Sequence, residues 1–279
     1  MRNRNIISSS LLVCILMATL NVQAQQNEIG VAVYGGLGTL KFDGSNVLDG
    51  GNGGLSVDYL LRLDENWGVQ VGVNWGYYQI KIDKNNFKGS YLTRDNEAEN
   101  FEFRYNINRF TETLKGSNFA IPLSLRYETS FRSKTNYYLQ GGFKYSFYSK
   151  VSSDITANQL RTSGYFAYSD AELFTPNFMG FGEFDQLKED KKLKLKQGVS
   201  MLGEFGIIQT LANDQALYFG IYIDYDLANP QKNPSRIVNY NAEGLQRLNL
   251  QSIIEQEQQE KHRLRMFAVG LKLRYAFGL

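Results

Sequence analysis

Apolar and polar residues alternate with a period of two in eight segments of this chain, most clearly in the last. From Met266 to Leu279 the odd positions Phe267, Val269, Leu271, Leu273, Tyr275 and Phe277 are apolar or aromatic, while the even ones include Gly270, Lys272 and Arg274. A strand with one uncharged apolar face and one polar face suits a wall with lipid on one side. The same pattern runs through residues 29–37, 55–63, 67–77, 119–128, 137–147, 199–207 and 217–227. In every one the apolar face is free of charge, and the charged residues lie on the other.

Connection lengths alternate too. Short turns, such as Asp64-Glu65-Asn66 and Ala212-Asn213-Asp214-Gln215, follow the second, fourth and sixth segments. Longer stretches, 41–52, 83–117, 150–196 and 228–264, follow the first, third, fifth and seventh. This predicts an all-β fold: an eight-stranded antiparallel transmembrane β-barrel with short periplasmic turns, four long external loops and both chain ends in the periplasm. A soluble barrel would turn the apolar face inward, and aromatics this bulky on every strand would overfill an eight-stranded interior. Trp67 and Trp75, about eight residues apart on one face, are expected in two interfacial girdles. Pro122 interrupts the fourth segment, so a bulge or local fray is expected there.

Residues 1–24 read as a signal peptide: Arg2 and Arg4 at the start, an apolar stretch from Ile6 to Leu20, and Val22-Gln23-Ala24 before the cut. The apolar core falls short of the roughly 20 residues a helical span needs. The barrel domain is then 25–279. Removing Arg2 and Arg4 leaves 28 basic residues of the original 30 against 28 acidic ones. The exported chain is formally neutral and offers nucleic acid no electrostatic footprint. Cys14 lies in the export segment, so disulfides and thiolate chemistry are not expected. A mean hydropathy of −0.36 argues against helical spans but suits a barrel, where half of each strand is polar.

On the inward face, Asp58, Glu128, Glu204, Asp224 and Asp226 meet Arg62, Arg126, Lys144, Lys272 and Arg274. Five acids against five bases predict a salt-bridged plug rather than a selective pore. Glu204 with Lys144, and Asp224 with Lys272, are the expected pairs.

The fourth and fifth strands read Asn118-Phe119-Ala120-Ile121-Pro122-Leu123-Ser124-Leu125-Arg126-Tyr127 and Tyr137-Tyr138-Leu139-Gln140-Gly141-Gly142-Phe143-Lys144-Tyr145. They resemble the Ile-Pro-Leu strand and the Gly-containing strand of the PorT-like outer-membrane β-barrel domain family, in a pattern covering most of residues 28–279. The resemblance implies a small barrel in the bacterial outer membrane. Its named member assists a protein-secretion system, so a secretion-associated role would follow. The third and fourth external loops here are longer than small members need.

Candidate chemistry is sparse. His262 is the single histidine, with Glu260 and Ser252 near it in sequence, and spacing alone makes no catalytic constellation. No Cys/His metal spacing occurs, and Asp49-Gly50-Gly51-Asn52-Gly53-Gly54 reads as a flexible first loop rather than a calcium or phosphate site. Neither cofactor nor metal is expected. The third loop gathers Phe166, Tyr168, Phe174, Phe178 and Phe181, either a binding surface or the small core of a folded loop. The fourth, 243–262, reads as a short surface helix or a Gln-rich mobile loop.

The expectation is a non-enzymatic outer-membrane barrel, structural or accessory in the envelope, acting through its external loops. It would contact outer-membrane lipid and possible envelope proteins. A narrow channel for small solutes is the alternative, and a lipid-modifying enzyme a more remote one.

Overall fold

A computed structural model describes residues 27–42, 45–129, 135–228, 235–243, 247–255 and 265–279. The expected signal peptide, His262 and Glu260 lie outside the described residues. Eight antiparallel strands close a ring: β1 (Glu28–Phe42), β2 (Ser45–Arg62), β3 (Trp67–Arg94), β4 (Asn100–Glu128), β5 (Thr135–Phe166), then β8 (Gly198–Thr210), β9 (Gln215–Asp226) and β12 (Arg265–Gly278), which pairs back onto β1. Between β5 and β8 come β6 (Ala171–Leu173) and β7 (Gly182–Leu193); between β9 and β12 come β10 (Val238–Tyr240) and β11 (Leu248–Leu250).

The expected short turns join β2 to β3, β4 to β5 and β8 to β9. Asp64 Oδ1 accepts from the backbone N–H of Asn66 (2.8 Å) and Trp67 (2.7 Å), closing the first. Asn213 and Asp214 both take left-handed φ, at 58° and 56°, the geometry a tight hairpin needs. The described ends meet on this same rim, where Leu279 N–H donates to the Asn27 carbonyl at 2.7 Å.

Three strands greatly overshoot a membrane. β3, β4 and β5 have 28, 29 and 32 residues. At roughly 3.3 Å per residue β4 is about 95 Å long, against an apolar band of about 25 Å. Their upper halves stay paired to one another, and β7 adds to β5, forming a twisted sheet above the barrel that we call the crown.

Polarity inverts where barrel becomes crown. Along β3 the outer face carries Val69, Val71, Val73, Trp75 and Tyr77, then Gln79, Lys81 and Asp83; the inner face carries Gln70 and Asn74, then buried Tyr78, Ile80 and Ile82. The barrel is apolar outside and polar within, and the crown is the reverse. Phe101, Phe103, Ile107, Phe110, Ile155, Leu160 and Phe181 fill the crown core, covered by Val238, Leu248, Ile253 and Ile254.

Several expectations are corrected. Residues 49–54 are not a loop: they lie in β2, paired with both β1 and β3. Gly54 leaves room for a neighbouring ring, since a Cβ there would meet the Tyr34 hydroxyl at 2.5 Å. The stretches 83–117 and 150–196 are mostly crown strand rather than irregular loop. In the fourth excursion the described helical element is one 3-10 turn, Ile253–Glu255, whose two isoleucines are buried. At Pro122 the register does not slip, but β3–β4 pairing lapses between the Val71–Leu123 and Asn74–Ala120 rows, while β4–β5 pairing continues through it. A missing N–H on one side of the strand accounts for this fray.

Candidate functional site: the barrel interior and the crown surface

The residues expected in the lumen do face it, and five of the ten, Asp58, Arg62, Arg126, Glu128 and Arg274, lie in one polar network near the turn rim. Arg126 and Arg274 are both 0% exposed. Arg274 Nε donates to Asp58 Oδ1 at 2.7 Å and its Nη1 to Glu28 Oε2 at 3.0 Å. Arg62 pairs with Glu28 and, at 2.9 Å, with Glu128. Arg126 bonds the amide oxygens of Gln70 and Gln140 and stands 3.6 Å from Glu128. Tyr218 ties the two arginines together, with its ring centroid 4.8 Å from Arg126 and 4.6 Å from Arg274. Tyr138 packs edge-on against Tyr218 at 5.4 Å. Gly30 is required beside Arg274, because a Cβ there would sit 2.2 Å from Nε. Ion pairs and cation–π contacts thus fill this end of the lumen with side chains.

Above the plug the expected pairs are exchanged. Lys144 bonds Asp224, and Lys272 bonds Glu204 at 3.0 Å. Strand register explains the exchange. Glu204 faces Gln140, four residues from Lys144, and Asp224 faces Ala268, four residues from Lys272. Four residues is roughly 13 Å along a strand. The partners actually taken are displaced by two residues, a span the lysine side chain bridges. Asp226 makes no direct ion pair among the described residues and instead accepts from Ser200 and, at 3.2 Å, from Tyr148.

Glu28 is the network member missed by sequence reading. It precedes Gly30, Ala32 and Tyr34 on the lumen face of β1, so extending that parity one step back would have found it. The lumen retains two chambers of mixed lining, of about 90 and 40 Å³, which share Tyr34, Lys144 and Asp224.

Trp67 and Trp75 stand on the outer wall, 41% and 50% exposed. Trp67 packs on Tyr127 at 5.0 Å. The third-loop aromatics divide. Phe166 and Phe181 are core, with Phe181 5.5 Å from Phe101 and stacked 5.9 Å from Tyr240. Tyr168, Phe174 and Phe178 are exposed. Ser252, weighed above as a partner for His262, is fully buried and donates to Glu112 Oε1. Glu112 also receives Ser153 Oγ and, at 2.8 Å, the backbone N–H of Ile253, and burial pushes its carboxyl above the usual range. Its carboxyl pins the fourth excursion to the crown. Among the described residues no three His, Cys, Asp or Glu are grouped to hold a metal ion.

The family described as outer membrane protein beta-barrel domain matches residues 10–182, more than half of the chain. The chain belongs to that family. It is an outer-membrane β-barrel protein. Solved structures similar to it include neisserial surface protein A (11% identity, covering 88% of this chain and 95% of that one, TM-score 0.36). OprG from Pseudomonas aeruginosa is similar at 10% identity, with 90% and 95% covered and a TM-score of 0.35. The attachment invasion locus protein Ail of Yersinia pestis gives 9% identity, 90% and 99% covered and 0.33. No curated protein matches the chain.

Proposed function

We propose that this barrel is a non-enzymatic, non-conducting accessory protein of the envelope that works through its crown. The turn rim and both chain ends face the periplasm, and the crown stands outside the cell. The observation that carries this reading is the plug: two fully buried arginines, held by Glu28, Asp58, Glu128 and Tyr218, occupy the rim end of the lumen. Transport is then a poor use of the molecule, whereas the crown is a large, ordered surface with its own hydrophobic core. The PorT-like resemblance of β4 and β5 adds a secretion-associated setting, by analogy of fold.

A photo-crosslinking residue placed at position 178 of the crown, compared with one at 123 on the lipid wall, tests this in intact cells. The crown position is expected to yield a discrete, stoichiometric adduct with another envelope protein. Adducts with lipid alone from both positions would overturn the accessory role.

One observation favours a second reading, a narrow channel: the two chambers adjoin, sharing Tyr34 and the charged side chains of Lys144 and Asp224. Steady conductance lost in Lys144→Gln would support it.

A further inference from the structure

At the far end of the crown, three segments that are distant in sequence enclose a cleft of about 430 Å³. The β3–β4 turn contributes Asp95, Glu97 and Glu99; the segment after β5 contributes Tyr168 and Phe178; and the β10–β11 hairpin contributes Arg247. The aromatic wall is open to water, with Tyr168 and Phe178 exposed by 74% and 76%. Beneath it the floor is fixed, because Phe166 stacks on Phe101 at 5.1 Å in the core.

Charge selects the occupant. Three carboxylates face one guanidinium, and that guanidinium is engaged, with Arg247 Nη1 donating to Asn96 Oδ1 at 3.2 Å. Asp95 Oδ1 accepts from the N–H groups of Glu97 and Glu99, both at 2.9 Å, which orders the turn. The side chains of Glu97 and Glu99 have no partner among the described residues. An anionic glycan or phosphate would be repelled here. A cation with an apolar neighbour gains from carboxylates and from ring faces together. Lipid headgroups are out of reach, since Asp95 lies 18 residues beyond Tyr77, about 60 Å along the strand. The volume suits one or two side chains rather than a folded domain.

We propose that this cleft docks a segment of another protein bearing a lysine or arginine next to a bulky apolar residue. The proposal rests on the accessory reading above and supplies its partner chemistry.

The test uses full-length protein refolded in detergent and three labelled peptides, read by fluorescence anisotropy. One carries two lysines and two phenylalanines, one has glutamate for lysine, and one has serine for phenylalanine. The first should bind at least about tenfold more tightly than the others. Glu97→Gln with Glu99→Gln, and Tyr168→Ser with Phe178→Ser, should each weaken it by about tenfold. Glu183→Gln, on another exposed part of the crown, should leave it unchanged. All these side chains are exposed, so folding should survive, which heat-modifiable mobility on gels checks. Equal loss in Glu183→Gln, tighter binding of the glutamate peptide or of a sulfated oligosaccharide, or no binding by any peptide would overturn the proposal. A protein adduct at position 178 in cells, together with failure of the peptide arm, would leave the accessory role standing and remove only this specificity. Peptide binding without any adduct in cells would overturn the accessory role on which the proposal rests.

Discussion

Replacing Arg274 by methionine should destabilise the barrel far more than loss of a surface charge would. The guanidinium is 0% exposed and holds two carboxylates, Asp58 at 2.7 Å and Glu28 at 3.0 Å. Asp58 would be left with no base beside it, whereas Glu28 keeps Arg62. Breaking a buried pair from one side costs roughly 3–5 kcal/mol, because the remaining charge is stranded away from water. Adding Asp58→Leu removes that stranded charge and should restore at least about half of the loss, since apolar replacement of a whole buried pair is often close to neutral. Urea unfolding in phospholipid vesicles reports this directly, with Trp67 and Trp75 on the lipid face as the fluorescent probes. A loss below about 1 kcal/mol for Arg274→Met, the value of an exposed pair, would refute the reasoning. It would mean that water bathes this end of the lumen.

Phe181→Ala should cost about 3–5 kcal/mol within the crown, as for other fully buried aromatics; limited proteolysis should then cut residues 166–182 quickly while the barrel keeps its heat-modifiable mobility. Glu112 titrates above its ordinary value of 4.5 because it is buried. The folded crown therefore holds that proton more tightly than the unfolded chain, so the attachment of β10 and β11 is strongest below about 4.5 and weakens as pH rises through the raised value. Hydrogen exchange of residues 238–250, corrected for intrinsic rates, should show that slope, and Glu112→Gln should flatten it; an unchanged slope would mean that another group is responsible. Single-tryptophan variants that retain Trp67 or Trp75 should both be quenched more by shallow than by mid-chain brominated lipid, since eight strand residues, about 27 Å before tilt, separate them; stronger mid-chain quenching of either would displace the apolar band.

The barrel was legible in the sequence, whereas the crown was not, and the physical reasons are local. Lipid demands an uncharged face without interruption, so β12 and the lower half of β3 declare themselves. In the crown the inner and outer faces exchange polarity, so Phe101, Phe103 and Tyr105 alternate with Glu102, Arg104 and Asn106 in the opposite sense. Parity also slips partway along. Asn86 and Gln159 take left-handed φ, at 54° and 51°, and beside them Asn108 and Arg109 are both exposed in succession on β4. These irregularities lie in neighbouring rows, and each shifts the buried series by one residue, which breaks up the period-two signal. Glycines in 49–54 mimic a loop because the atoms that crowd them, the Tyr34 ring at Gly54 and neighbouring backbone at Gly50 and Gly53, come from other strands. For the lumen, membership could be read from parity, but partner choice could not. Lys144 and Lys272 exchange acids because pairing depends on stagger between strands, which no single strand encodes.

The most direct test of a plugged, accessory barrel is the conductance of the purified full-length protein in planar bilayers, with Arg126→Ser/Arg274→Ser as the companion variant. The structure predicts no steady conductance from the unmodified protein and discrete openings once the two guanidiniums are gone. Steady ohmic conductance from the unmodified protein, unaffected by the double change, would contradict it.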